Sequence, residues 1–111
     1  MEEKFTYDFE GKENKTSADL LRQGLIGKIT GYGQSMTPIL KNGQSVICIP
    51  VTDDTELSKN DIVLCKVKGH YYLHLIWSVK TGDRFMIGNN HGRQNGIIGK
   101  NNIYGKVVEK L

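Results

Sequence analysis

Nowhere in its 111 residues does the chain hold an apolar run approaching the ~18 residues that a membrane-spanning helix needs. Its first residues, Met1-Glu2-Glu3-Lys4-Phe5, lack the apolar stretch of a secretion signal, so a cytoplasmic location is expected. Cysteine is scarce. The two present, Cys48 and Cys65, lie inside the apolar runs Val46-Ile47-Cys48-Ile49 and Ile62-Val63-Leu64-Cys65. That placement suits small reduced hydrophobes. Their spacing fits no metal site, and neither is a credible nucleophile. No basic cluster accompanies the net charge of +3. The densest basic stretch, Lys66-Val67-Lys68, carries only two lysines, so no specific nucleic-acid binding is expected. Only two prolines stand against thirteen glycines, a balance that suits tight turns between short strands. Nothing in the chain calls for a metal or cofactor.

What is present reads as one ordinary globular domain, with 38% hydrophobic and 24% charged residues. Residues 1–25 suggest an N-terminal arm and a short helix. Phe5, Tyr7 and Phe9 alternate as in an edge strand or arm. Thr16-Ser17 offers an N-cap for a helix through Leu20, Leu21 and Leu25. Residues 26–111 suggest the core domain. Strand patterns run over 26–32, 45–49, 61–67, 70–79, 84–87 and 103–109. Turn signals at Asn42-Gly43, Lys68-Gly69 and Thr81-Gly82-Asp83 separate several of them. Residues 35–40 read as a turn of helix. Residues 88–102 read as a polar loop, long for a passive connection. The expected fold is mainly β: strongly coiled antiparallel sheets or a partly open barrel, with one short N-terminal helix.

Three segments carry residues suited to chemistry. In Gly33-Gln34-Ser35-Met36-Thr37-Pro38, Ser35 follows a glycine-rich bend, which exposes its hydroxyl. The backbone amides of Gly33, Gln34, Ser35 and Met36 are candidate oxyanion donors. Serine also favours turns for conformational reasons alone. In Tyr71-Tyr72-Leu73-His74-Leu75-Ile76, His74 interrupts an apolar strand. It reads either as a partly buried histidine bonded to backbone or as a general base. The third segment, Phe85-Met86-Ile87-Gly88-Asn89-Asn90, leads through Asn95 to Ile103-Tyr104-Gly105-Lys106-Val107. By itself it is a loop between strands. His91 and His70 read as solvated loop and turn residues, and Tyr72 and Trp77 as sheet packing.

In order and spacing, these segments resemble the signal peptidase I and LexA-type repressor superfamily of serine peptidases. The shared pattern is Ser-Met followed by Pro, Leu and Gly, here Ser35-Met36, Pro38, Leu40 and Gly43. Asn60-Asp61-Ile62-Val63 then matches a Gly-Asp-Ile-Val-like strand, Gly88-Asn89-Asn90 a Gly-Asp-Asn box, and Ile103 to Val107 the last strand. Residues 33–107 are covered. Most bacterial members use a lysine base. Here His74 stands at that place, as in the endoplasmic-reticulum and archaeal branch. The resemblance implies a Ser35–His74 dyad, with Asn89 and Asn95 orienting or supporting where that branch has acids.

Two functions follow as expectations. One is a serine endopeptidase that cuts a peptide bound as an extended strand. The other is a weak or inactive peptidase-fold module that binds a protein partner, suited to a phage or mobile element. Repressor-type self-cleavage is disfavoured. The single alanine, Ala18, precedes Asp19, neither cysteine precedes glycine, and the residues before Ser35 are too few for an ordinary DNA-binding domain.

Overall fold

The structure, a computed structural model, describes residues 6–8 and 14–111. Along them run β1 (Thr6–Asp8), α1 (Asn14–Arg22), β2 (Ile26–Thr30), β3 (Ser45–Pro50), β4 (Ile62–Val67), β5 (His70–Lys80), β6 (Arg84–Gly88) and β7 (Gln94–Gly99). A 3-10 turn, Lys100–Asn102, then leads into β8 (Ile103–Lys110). The eight strands form one sheet in the order β1-β2-β3-β8-β4-β5-β6-β7. The β1–β2 pairing is parallel and all others are antiparallel. The sheet does not close, and β1 and β7 are its edges. The expected mainly β architecture with one short helix is therefore what the chain adopts.

The unbroken run Ile62-Val63-Leu64-Cys65 has a physical reason: β4 is buried on both faces. Ile62 and Leu64 join a cluster with Ala18, Leu21, Ile29, Met36, Leu40, Val46, Cys48 and Leu75. Val63, Cys65 and Val67 join a second cluster with Ile76, Phe85, Ile87, Ile98 and Ile103. Side chains alternate across a strand, so the stretch covered on both sides, residues 62–65, is apolar at every position, while Lys66 beyond it is only half-buried. β4 turns into β5 through Lys68-Gly69, both at positive φ (+52° and +85°). That pair of angles matches a tight hairpin turn and fixes the register. Val63 consequently lies opposite His74.

α1 caps the first cluster, with Ala18 and Leu21 fully buried. A side chain at Gly105 of β8 would meet Leu21 Cδ1 at 2.6 Å, so glycine lets the helix approach the sheet.

Three expectations need correction. The helix begins at Asn14, so Thr16 and Ser17 lie inside it and Ser17 is buried rather than capping. Residues 35–40 form consecutive turns instead of a helix, with one helix-like bond from Leu40 N–H to the Met36 carbonyl at 2.9 Å. The 88–102 loop contains β7, which pairs with β6 and buries Ile98. Tyr7 lies in β1 at the edge of the sheet, one of the two alternatives expected for it; Phe5 and Phe9 lie outside the described residues.

Candidate active site

Ser35 sits in the connection between β2 and β3. The chain leaves β2 through Gly31-Tyr32-Gly33. Gly33 adopts φ +98°, a conformation that disfavours side chains. Its N–H donates to Asn42 Oδ1 at 2.8 Å, closing the bend on itself. Beyond Ser35, Met36 and Leu40 are buried in the helix-side cluster and moor the turn to the core. The loop after β6 holds the turn from its other side. Asn90 N–H donates to the Ser35 carbonyl at 2.9 Å, and Asn90 Nδ2 donates to the Thr37 carbonyl at 2.8 Å. His91 Nε2 and Thr37 Oγ1 are 3.0 Å apart.

His74 reaches the serine from the middle of β5. Its side chain is buried at 7% exposure, with Nε2 3.2 Å from Ser35 Oγ. Nδ1 is 2.7 Å from Asn95 Oδ1. An amide oxygen only accepts, so Nδ1 carries the ring proton and the Nε2 lone pair faces the serine hydroxyl. The ring also stacks on Tyr72, with centroids 4.7 Å apart and planes 22° from parallel. This packing does not turn the ring from Ser35; it fixes the ring while Nε2 stays in reach. Burial pushes the His74 pKa below its ordinary value, and the hydrogen bond to Asn95 opposes that shift. The imidazole is therefore neutral near pH 7, the form that can accept a proton.

Asn95 owes its position to an irregularity in β7. Gly96 pairs with Ile87 and Gln94 with Gly88, so Asn95 is the extra residue of a β-bulge. Bulges re-aim side chains, and this one points an amide at His74. Gly96, at φ +149°, packs across onto β4: a Cβ there would lie 3.1 Å from Val67 Cγ1.

Of the residues singled out in the sequence, Ser35, His74 and Asn95 come together in one hydrogen-bonded line. Asn89 does not join them. Its Oδ1 accepts from the N–H groups of His91 and Arg93 at 2.8 and 2.9 Å, and its carbonyl accepts the Trp77 indole N–H at 3.0 Å. It shapes the loop and does not orient the imidazole. Gly33 also drops out as a free backbone donor, since Asn42 takes its N–H. Sequence reasoning missed Asn90 as a residue holding the serine turn. Its only signal was its place in the Gly88-Asn89-Asn90 box.

Asn90→Ala removes the bond to the Thr37 carbonyl while keeping the backbone bond to Ser35. A partly buried hydrogen bond is worth about 1 kcal/mol. The expected result is a melting-temperature drop of a few degrees together with a roughly tenfold slower reaction of Ser35 with a serine-directed phosphonate, because a loosened turn takes the Ser35 hydroxyl out of line with His74. An unchanged reaction rate would show that Asn90 braces the fold only.

The three aligned groups open into a groove of about 860 Å³. Apolar and aromatic side chains line much of it, including Ile29, Met36, Leu40, Tyr71 and Leu73. Among the described residues no group of three or more His, Cys, Asp or Glu could hold a metal ion. Burial pushes both thiols, Cys48 and Cys65, up to about 12, which keeps them protonated and unreactive. Among the described residues no helix is long and apolar enough to cross a membrane. No protein-family model matches the chain, and no curated protein matches it.

Proposed function

We propose that this chain is a serine endopeptidase with a Ser35–His74 dyad. One observation carries the reading: Ser35 Oγ lies 3.2 Å from His74 Nε2 while His74 Nδ1 is held at 2.7 Å by an amide oxygen that enforces the required tautomer. In the proposed reaction, Ser35 Oγ attacks the carbonyl carbon of a peptide bond and its proton passes to Nε2. The backbone amides of Gln34, Ser35 and Met36 remain as candidate donors to the oxyanion. The imidazolium returns the proton to the leaving amine, and water activated by the same ring hydrolyses the acyl-enzyme. Asn95 is a positioning residue throughout. The ordered motifs of residues 33–107 support kinship with the signal peptidase and LexA-type superfamily, and the open groove suits an extended peptide. A cytoplasmic protein substrate completes the proposal.

A second reading rests on the Asn95 amide itself. Lacking charge, it gives less support to an imidazolium than a carboxylate does. A peptide-binding module with little turnover would keep the same groove. A serine-directed phosphonate separates the two. Covalent labelling is expected in the wild type, absent in Ser35→Ala and slowed by about 10²–10⁴ in His74→Ala, the usual contribution of a general base. Wild-type protein that stays unlabelled between about pH 6 and 9, a range that spans histidine titration, leaves the binding module.

A further inference from the structure

The groove carries charge of one sign. Two ionisable side chains other than tyrosine and His74 line it, Lys41 and Arg93, and both are cationic; no carboxylate of the described residues does. Both residues are exposed, and neither is in an ion pair with a described residue. Their backbones are nonetheless fixed. Arg93 N–H donates to Asn89 Oδ1 at 2.9 Å, and its carbonyl accepts from Asn89 N–H at 2.9 Å. Lys41 N–H donates to Gln44 Oε1 at 2.8 Å. The described carboxylates Asp19 and Asp61 are engaged with Lys15 and Lys106. The same groove is lined by the apolar and aromatic side chains of Ile29, Leu40 and Tyr71.

We infer that the groove selects an extended peptide combining apolar residues with Asp or Glu side chains, and that Arg93 and Lys41 are the selecting residues. This rests on the reading of the groove as the place where a peptide lies; it does not require the peptide to be cut. Apolar side chains fill the floor, where burial supplies most of the affinity. The acidic side chains meet exposed cations at the rim, where each pair adds little affinity but steers association and sets preference. Arg93 belongs to the same β6–β7 loop as Asn90, whose N–H holds the Ser35 carbonyl, so an acidic residue near the reacting bond is the one it would read.

Binding to the Ser35→Ala protein tests this without any turnover. Three fluorescent peptides share an apolar sequence and differ at two positions, carrying Glu, Gln or Lys. Fluorescence anisotropy is expected to rank Glu above Gln above Lys, with about two- to fivefold separating successive peptides at low salt. The ranking should shrink as salt rises. Arg93→Gln and Lys41→Gln should each reduce the Glu preference, and Arg93→Glu should favour the Lys peptide. Lys110→Gln removes the same charge from an exposed position on β8 outside the groove and should change nothing. Equal binding of the Glu and Gln peptides, a preference indifferent to Arg93 and Lys41, or no binding of any peptide overturns the inference. The two proposals fail separately. Loss of phosphonate labelling with the ranking intact removes the peptidase. Labelling without the ranking removes only the charge selection.

Discussion

Replacing Asn95 by aspartate is expected to speed acylation of Ser35 about tenfold. In peptidases whose histidine is oriented by an aspartate, exchange of that aspartate for asparagine costs about 10⁴ in kcat, largely because the amide presents its N–H₂ and enforces the wrong tautomer. Here the amide presents its oxygen, 2.7 Å from Nδ1, so the tautomer is already right. What the amide lacks is charge alone. Hydrogen bonds to charged groups contribute about 1.5–3 kcal/mol against about 0.5–1.5 for neutral ones, and the difference of roughly 1–1.5 kcal/mol corresponds to about tenfold in rate. A carboxylate at position 95 also raises the His74 pKa, because an opposite charge favours the imidazolium. The acid limb of the rate profile should move to higher pH as the plateau rises. Phosphonate labelling rates measured against pH check both effects. A slower variant, or one with an unmoved limb, would mean that Asn95 does not face the imidazole during reaction.

The second large effect is structural. Leu64→Ala should destabilise the protein by about 2–5 kcal/mol, the usual cost of emptying a fully buried leucine site. Leu64 is 0% exposed, in the middle of the strand that has the two clusters on its faces. Domains of this size are stable by only about 5–15 kcal/mol, so this one truncation removes a large share. Urea denaturation should show a lower midpoint with an unchanged slope. A loss under about 1 kcal/mol would contradict close packing around β4. Gly105→Leu gives a complementary test from overpacking, since a Cβ there already meets Leu21 and Cys48.

How much of this was legible in the sequence depended on whether a local pattern carried the information. The strands flanked by clear turn signals were readable: Lys68-Gly69 and Asn42-Gly43 mark their ends, and the apolar runs mark their cores. β7 was not, because Gln94-Asn95-Gly96 has the composition of a loop. Asn and Gly are depleted in strands, and this one forms because β6 offers a ladder and Ile98 fills the second cluster. Ser35 and His74 stood out as a polar residue at a bend and a histidine in an apolar strand. Their separation of thirty-nine residues in sequence against 3.2 Å in space came only through the family resemblance. Between Asn89 and Asn95 the sequence offered no choice. The bulge at Asn95 and the backbone bonds at Asn89 decide it, and both are tertiary facts. Likewise Thr16-Ser17 looked like a cap, but burial of Ser17 and Ala18 against the sheet draws the helix start back to Asn14.

The dependence of Ser35 acylation on pH tests the central claim most directly. With His74 as the base, the rate should rise along a single titration and then level off. The midpoint should lie below the ordinary histidine value of 6.5, since burial holds the imidazole neutral. The adduct should map to Ser35 by mass spectrometry. His74→Ala should abolish the titration along with most of the rate. An adduct on another residue, or a rate that climbs in proportion to hydroxide from about pH 6 to 9 with no plateau above the histidine range, would contradict the dyad.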